Sequence, residues 1–189
     1  MLRPGDRRDL LKQATEQWIG RLVEQAEERI IRRQFTRPPG AIAEVAFLAA
    51  CTRCGKCSEA CPPQVIRTAP SSEGFAAGTP YLDTELQACV ACAEMPCAVS
   101  CPTGALVVPE QKWVGYKLHE ITFVPERCVT YSGVQCRACA DACPVGETAL
   151  TMDADGHPVL KAEGCVGCGV CVRACITSPS SYTPQPVDR

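Results

Sequence analysis

The sequence predicts an α+β chain in which a long amphipathic helix precedes two small units built around clusters of cysteine. Three observations lead to this prediction. Sixteen of the 189 residues are cysteine, and they fall into four groups of four. The second and third groups end in related Cys-Pro segments, which indicates an internal repeat. Ahead of them, apolar residues recur at three- or four-residue steps, which is the period of a helix.

The N-terminal segment, residues 1–36, is expected to form this helix and to bind a partner subunit or a second copy of the chain. Its apolar stripe consists of Leu11, Ala14, Trp18, Leu22, Ala26 and Ile30. A helix over residues 6–33 would be roughly 42 Å long, which is long beside a compact cysteine unit. Packing on the chain's own core is one alternative. A membrane-surface helix is another, disfavoured by a polar face of mixed sign.

The same segment bears on location. Asp6-Arg7-Arg8-Asp9 resembles the start of a twin-arginine export motif, but such signals continue into an uncharged apolar stretch. Here the stretch is interrupted by charged residues from Glu16 to Arg29. No apolar run approaches the roughly 18 residues needed to span a bilayer. We therefore expect a cytoplasmic protein without a transmembrane segment.

The four cysteine motifs are expected to bind iron. They are Cys51/Cys54/Cys57/Cys61, Cys89/Cys92/Cys97/Cys101, Cys128/Cys136/Cys139/Cys143 and Cys165/Cys168/Cys171/Cys175. The first and last have the spacing C-x-x-C-x-x-C-x-x-x-C, with which bacterial ferredoxins hold [4Fe–4S] clusters. Disulfides are disfavoured by the recurrence of C-x-x-C. Structural zinc sites usually take two separated C-x-x-C pairs, whereas a third cysteine at the next x-x step and a fourth on the following turn match a cuboidal cluster better. The sequence predicts four [4Fe–4S] clusters with these sixteen cysteines as iron ligands.

The order in which the motifs pair is left open by their spacing. In two-cluster ferredoxins each motif gives three ligands to one cluster and its fourth to the other, so four motifs make two interleaved ferredoxin-like units over residues 37–176. Pairing could be sequential or nested. The regular motifs lie outermost, at 51–61 and 165–175, and the irregular ones within, at 89–101 and 128–143, which favours nesting. Nesting would join Cys175 to motif one, Cys61 to motif four, Cys143 to motif two and Cys101 to motif three.

The remaining residues indicate what the protein does not do. The formal charge of −2 would become about −10 with four clusters bound, which disfavours nucleic acid as a partner. No phosphate loop or dinucleotide fingerprint is present, so no catalytic residue is predicted. His119 and His157 are expected to be surface or loop residues rather than ligands. Residues 177–189 read as an extended tail, either disordered or lying on a partner.

Residues between the ligands are predicted to adjust the reduction potentials. Gly55, Gly167 and Gly169 let backbone N–H groups approach the sulfurs and stabilise the reduced state. The basic residues on the same loops would raise the potentials further or are solvated surface charges; they are Arg53, Lys56, Arg137 and Arg173. With only 5% aromatic residues the apolar core is thin, so the chain without iron is expected to fold poorly.

Three segments and one motif carry a resemblance to a known family. The segments are Arg37-Pro-Pro-Gly-Ala41, Phe47-Leu-Ala-Ala-Cys51-Thr-Arg-Cys-Gly-Lys-Cys57 and Gly78-Thr-Pro-Tyr81, and the motif is Cys128-x7-Cys136-x2-Cys139-x3-Cys143-Pro144. Over about residues 37–176 the chain resembles ferredoxin-type proteins of the MauM/NapG family. The resemblance implies four [4Fe–4S] clusters in two ferredoxin-like units. In that respect the chain is similar to iron–sulfur subunits of molybdenum and tungsten oxidoreductases, where nested pairing is usual.

The resemblance also implies a function. Family members commonly carry a twin-arginine signal and work in the periplasm, passing quinol electrons towards nitrate reductase or serving methylamine dehydrogenase maturation. The charged N-terminal segment departs from that pattern and favours a cytoplasmic complex. We expect an electron-transfer subunit between a catalytic oxidoreductase subunit, such as a tungsten or molybdenum aldehyde oxidoreductase, and a second redox subunit with flavin and NAD. The alternatives are a maturation factor or quinol-linked donor, and a purely structural metalloprotein.

Overall fold

Short helices carry the cysteine motifs in the computed structural model, which describes residues 35–84 and 86–187. The α-helices of this part are α1 (Glu44–Ala50), α2 (Lys56–Glu59), α3 (Pro96–Val99), α4 (Ala138–Ala142) and α5 (Val170–Ala174). Helices of four to seven residues are not stable alone, so packing must hold them. None of these described helices is long and apolar enough to cross a membrane. The predicted N-terminal helix lies outside the described residues.

Six short strands form three antiparallel pairs within the described residues. The pairs are β1 (Ile66–Thr68) with β2 (Pro80–Leu82), β3 (His119–Phe123) with β6 (Tyr182–Pro186), and β4 (Leu150–Met152) with β5 (Pro158–Leu160). In the longest pair, Phe123 lies opposite Tyr182. Two-stranded sheets are marginal by themselves and depend on what they pack against. The mixture of helix and strand confirms the α+β part of the prediction.

Cysteines make up much of the buried core. The larger core cluster includes Phe47, Val65, Ile66, Leu82, Met95, Leu106, Leu118 and several cysteines, and the smaller one consists of Cys139, Leu150, Cys171 and Tyr182. All described residues belong to one compact unit. Because so many buried positions are cysteine, the core and the cysteine sites are the same part of the molecule.

The segment that begins at Arg37 is anchored by a buried ion pair. Arg37 is 1% exposed, and its guanidinium lies 2.5 Å from a carboxylate oxygen of Glu44. It also donates to the hydroxyl of Thr79 at 2.8 Å and lies over the ring of Phe47, 4.7 Å from the ring centre. Through these contacts the segment that precedes α1 is held against the start of β2, which lies in the Gly78-Thr-Pro-Tyr81 segment. A buried pair of this kind is costly to break because either partner alone is an uncompensated charge.

The C-terminal segment does not form the predicted disordered or partner-bound tail. Residues 182–186 form β6, which pairs with β3 of the same chain. Tyr182 is 2% exposed, its ring centre lies 5.1 Å from that of Phe123, and Ser181 is fully buried. The prediction is wrong here because it was based on the serines and prolines of the segment, whereas burial of Tyr182 fixes the segment on the core.

Candidate metal centres

The cysteines gather into four groups, and three of these groups line cavities. Site A is lined by Cys51, Cys54, Cys57 and Cys101, site B by Cys61, Cys89, Cys92 and Cys97, and site D by Cys128, Cys136, Cys139 and Cys175. Each of these cavities is lined by three cysteines of one motif and by the fourth cysteine of another motif.

Site C consists of the remaining cysteines, Cys143, Cys165, Cys168 and Cys171. Burial raises the pKa of Cys171, and the charges of Cys168, Cys165, Cys143 and, last, Cys139 of site D add to the effect. For Cys168 the thiols of Cys143 and Cys165 act in the same way. The packing of α4 against α5 brings the site C cysteines together, since Cys143 directly follows α4 and Cys171 lies on α5. Site C therefore has the same composition as the other three.

The predicted nested pairing of the motifs is wrong. Cys61 of motif one lies in the site of motif two, and Cys101 of motif two lies in the site of motif one. Motifs three and four exchange Cys143 and Cys175 in the same way. The reason is that α2 packs on α3, and α4 on α5, so each motif meets its neighbour in sequence. Each helix ends just before its motif's fourth cysteine, which then enters the adjacent site.

The irregular spacings of motifs two and three are accommodated within each motif. In motif two, Met95 adopts a left-handed conformation with φ of 44° and is 1% exposed, so the longer loop folds inwards before α3. In motif three, the extra residues form the 3-10 helix Val129–Ser132, which ends at Gly133 with φ of 81°. The likeness of the two outer motifs, on which the nested prediction rested, therefore says nothing about pairing.

The four sites are neighbours in the order A, B, C, D. The interacting cysteines are Cys57 with Cys97 from A to B, Cys89 with Cys168 from B to C, and Cys139 with Cys171 from C to D. Between B and C the contact is a backbone hydrogen bond, in which Cys89 N–H donates to the Cys168 carbonyl oxygen at 3.1 Å. Leu118 N–H donates to the Val166 carbonyl oxygen at 2.8 Å in the same region. The two halves of the chain thus meet at sites B and C.

Burial dominates the electrostatics of these two central sites. It raises the pKa of Cys89 and of Cys97 to about 12, and that of Cys168 to about 11, with the charges of neighbouring thiols adding to the effect. The pKa of Cys171 is raised further for the same reasons. A thiol with so high a pKa gives up its proton at neutral pH only when a cation takes its place.

Hydrogen bonds distinguish the end sites, A and D. Burial acts to raise the pKa of Cys175, but hydrogen bonds from Thr177 and Ser181 outweigh it and lower the pKa to about 6. At site A, burial likewise opposes the hydrogen bonds to Cys101 from the following backbone and from Thr103, and the pKa is lowered overall. One cysteine in each end site therefore bears negative charge more readily than an ordinary thiol does.

Three contacts between a threonine hydroxyl and a cysteine sulfur occur at the same local spacing, Cys-x-Thr, which the sequence analysis did not use. A threonine stands two residues after the cysteine in Cys101-Pro-Thr103, Cys128-Val-Thr130 and Cys175-Ile-Thr177. The Sγ–Oγ1 distances are 3.7, 3.2 and 3.1 Å in that order. Tyr182 and Ser181, which also bond sulfurs of site D, carry no such local signal because they come from the C-terminal segment.

The two histidines lie in different surroundings. His119 is 5% exposed, with one ring nitrogen 2.8 Å from Thr36 Oγ1 and the other 3.0 Å from the Gly167 carbonyl oxygen. The prediction that it is a surface or loop residue is wrong, because it begins β3 where the two halves meet. His157 lies in the turn before β5 and stacks on Tyr131, with ring centres 4.0 Å apart.

The glycines and basic residues of the cysteine loops have distinct roles. Gly167 N–H donates to Cys165 Sγ at 3.4 Å, as predicted for this position. Arg53 instead donates to the carbonyl oxygens of Ala77 and Phe75, at 2.8 and 2.9 Å, and so holds the loop beside site A. The effect of Arg53 on a reduction potential remains a prediction.

The donor sets fit iron–sulfur clusters. Four cysteine sulfurs around one cavity are the ligands that such clusters use. Four partly buried thiolates also need positive charge at their centre, which the cluster iron supplies. Within residues 35–84 and 86–187, no three His, Cys, Asp or Glu side chains, those of sites A to D included, are arranged to hold a single metal ion.

Comparison with known proteins gives the same division of the chain. A 4Fe-4S dicluster domain matches residues 50–105, and a second 4Fe-4S dicluster domain matches residues 120–176. Each match contains two consecutive motifs, as sequential pairing requires. Two dicluster domains and sixteen cysteines account for four [4Fe–4S] clusters. No solved structure matches the chain.

Several curated proteins are similar over most of their length. The methylamine utilization ferredoxin-type protein MauM of Methylorubrum extorquens is 35% identical over 159 residues, which is 79% of this chain and 72% of MauM. The ferredoxin-type protein NapG of Escherichia coli is 34% identical over 80% of this chain and 70% of NapG. The ferredoxin-type protein NapF of Escherichia coli is 30% identical over 75% of this chain and 80% of NapF.

Proposed function

The chain belongs to the MauM/NapG family of ferredoxin-type proteins, and on that premise we propose that it is an electron-transfer protein without a substrate site of its own. Sites A to D, with four cysteines each, hold the four clusters. A bound [4Fe–4S] cluster gains or loses one electron at a time. The chain's own part is to hold the sites in sequence and to join the two halves.

The observation that carries this proposal is the contact between sites B and C. The hydrogen bond from Cys89 N–H to the Cys168 carbonyl oxygen joins the last site of one half to the first site of the other. A protein that only stored clusters would not need neighbouring sites in an unbroken order. An order from A to D gives the protein two ends, one for a donor and one for an acceptor.

Both ends offer surfaces that a redox partner could contact. Cys54 in site A is exposed, and the neighbouring Phe75, whose carbonyl oxygen accepts from Arg53, is 76% exposed. At the other end Ile176 is 64% exposed and lines site D. Exposed apolar side chains beside a functional site are typical of surfaces that bind other proteins.

The setting we propose is a cytoplasmic oxidoreductase complex. A catalytic subunit, such as a tungsten or molybdenum aldehyde oxidoreductase, would contact one end, and a second redox subunit with flavin and NAD would contact the other. Between Glu16 and Arg29 the sequence carries charges where an export signal is uncharged and apolar. Residues 1–36 would attach the protein to a partner subunit or to a second copy.

Anaerobic purification with the native partners tests the proposal. The expected result is sixteen irons per chain, co-purified redox subunits, and electron transfer between them that stops when Cys54→Ser disrupts site A or Cys136→Ser disrupts site D. A disruption at either end must stop transfer, because electrons enter at one and leave at the other. Unchanged transfer in both variants would contradict an electron-relay function.

The similarity to MauM favours a second candidate, a maturation factor or a quinol-linked electron donor. A maturation factor acts on an unfinished partner and is not needed afterwards. Removing the protein from a purified, active complex separates the two functions. Electron transfer stops if the protein is a relay and continues if it is a maturation factor.

A further inference from the structure

The segment that follows Cys175 surrounds site D with hydrogen-bond donors. Tyr182 Oη donates to Cys139 Sγ at 3.2 Å. Ser181 approaches Cys175 Sγ twice, through its backbone N–H at 3.4 Å and its hydroxyl at 3.6 Å. The hydroxyl of Thr177 lies 3.1 Å from the same sulfur. With a metal bound, these sulfurs would have no proton to give, so a hydroxyl bonded to one of them would be the donor. The hydroxyls of Thr177 and Ser181 also lie 3.2 Å apart, so one of these two can donate to the other and leave the other to donate to Cys175 Sγ.

The donors are held in place by buried backbone structure. Val124 N–H donates to the Ser181 carbonyl oxygen at 2.8 Å, directly beside the pairing of β3 with β6. Tyr182 packs against Phe123 and is 2% exposed, and Ser181 is fully buried. Donors fixed in this way need no rearrangement when charge on the sulfurs changes.

Site D differs from the other sites in these donors. Four hydroxyls contact its sulfurs, those of Thr130, Thr177, Ser181 and Tyr182. At site A one hydroxyl does so, that of Thr103 at 3.7 Å. In the described part of the chain no hydroxyl is hydrogen-bonded to a sulfur of site B or C. Site B is also the most enclosed, with Cys61, Cys89 and Cys97 all buried.

Donors that point at cluster sulfurs stabilise added negative charge and raise the reduction potential, whereas burial lowers it. Backbone N–H groups donate to sulfurs at other sites as well, as Gly167 does to Cys165 of site C, so the number of hydroxyl donors is what distinguishes site D. We propose that residues 177–182 make the cluster of site D the highest in reduction potential of the four, so that electrons collect at that end of the protein. Reduction adds one electron and breaks no bond, and Tyr182 keeps its proton in both states. The proposal rests on the proposed electron-transfer function and adds a direction to it.

Redox titration monitored by electron paramagnetic resonance, with Tyr182→Phe, tests the proposal. This change removes one hydroxyl and keeps the ring against Phe123. We expect up to a tenfold fall in the reduction equilibrium constant of the highest-potential cluster, which is about 59 mV for one electron. The other three potentials and the iron content should stay unchanged. Cys136→Ser, which alters a site D ligand, identifies the affected signal.

Tyr116→Phe is the matched control. Its hydroxyl accepts a hydrogen bond from the backbone N–H of Gly40 at 2.8 Å rather than bonding a sulfur, so no potential should change. If Tyr182→Phe lowers the iron content, Thr177→Val repeats the test at Cys175 with a side chain of similar shape.

The outcomes separate the two proposals. A highest-potential signal that belongs to another site, or that neither variant shifts, overturns the inference about residues 177–182. A wild-type protein whose clusters cannot be reduced at all overturns the electron-transfer function on which that inference rests.

Discussion

The two central sites and the two end sites are built from the same four-cysteine motif but differ in how the chain treats their sulfurs. At B and C, burial raises the pKa of Cys89 and Cys168 to about 12 and about 11. At A and D, hydrogen bonds outweigh burial and lower the pKa of Cys101 and Cys175. Each end still keeps one buried thiol of raised pKa, Cys57 at A and Cys139 at D.

This difference in cysteine pKa shows that the motif and the residues around it have separate roles. The motif supplies the ligands, and the surroundings decide how easily each sulfur bears negative charge. The centre acts as the joint between the two halves and depends most on the bound metal. The ends combine exposure with hydrogen bonds, which suits contact with a partner.

Removal of iron should have the largest effect. The buried thiols of both regions lose the charge that balances them, and cysteines occupy many of the buried positions of the core. We expect anaerobic treatment with an iron chelator and reductant to abolish the near-ultraviolet circular dichroism and the resistance to protease. A chelated protein that kept both would show that apolar packing alone holds the sites.

Loss of one cysteine should affect the centre more than the ends. Cys89 is buried at the joint between the halves, whereas Cys54 is exposed at site A. Both Cys89→Ala and Cys54→Ala should lower the iron content by four per chain. Only Cys89→Ala should also make the rest of the chain sensitive to protease, because it leaves a cavity in the core. Equal protease sensitivity of the two variants would remove the distinction between centre and ends.

A smaller effect should come from the backbone of the joint. A Cβ at Gly167 would overlap the backbone of His119, and the residue has φ of 67°. Gly167→Ala should therefore cost roughly 2–5 kcal/mol, from overpacking and backbone strain together. Gly133 has φ of 81° with no atom within 4 Å of such a Cβ, so Gly133→Ala should cost only about 1–2 kcal/mol.

The denaturant midpoint for loss of cluster absorbance, measured without oxygen, compares the two glycine variants. Gly167→Ala should lower this midpoint more than Gly133→Ala does. The reverse order would mean that the approach of β3 to motif four does not limit stability.

Deletion of residues 1–33 should have the smallest effect on the sites themselves. We expect sixteen irons per chain and unchanged potentials, with loss of binding to the partner subunit or second copy. Size-exclusion chromatography with light scattering measures the change in assembly. The same assembly before and after deletion would contradict the role proposed for this segment, and lost iron would mean that it supports the sites.

Local spacing was enough to predict the ligands' chemistry, because C-x-x-C loops and a following short helix are local structures. The four clusters are confirmed by the two dicluster matches. Which motifs share their cysteines could not be predicted from local spacing. Their pairing depends on which helices pack together, and the irregular inner motifs absorb their extra residues at Met95 and at Val129–Ser132 without changing partners.

The surroundings of the sites were harder to predict for the same reason. Tyr182 reaches Cys139 across 43 positions of sequence, through the pairing of β6 with β3. His119 is buried by contacts with Thr36 and Gly167, which lie 83 and 48 positions away. The Cys-x-Thr contacts, by contrast, are local and were open to prediction from the sequence.

The central claim is that sequentially paired motifs form four sites in the order A, B, C, D. Anomalous diffraction from iron in anaerobic crystals of the holoprotein tests it most directly, because it locates each cluster and the cysteines around it. We predict Cys101 with Cys51, Cys54 and Cys57 at one end, Cys175 with motif three at the other, and the clusters of B and C adjacent between them. A cluster that joins Cys175 to Cys51, Cys54 and Cys57 would contradict the claim.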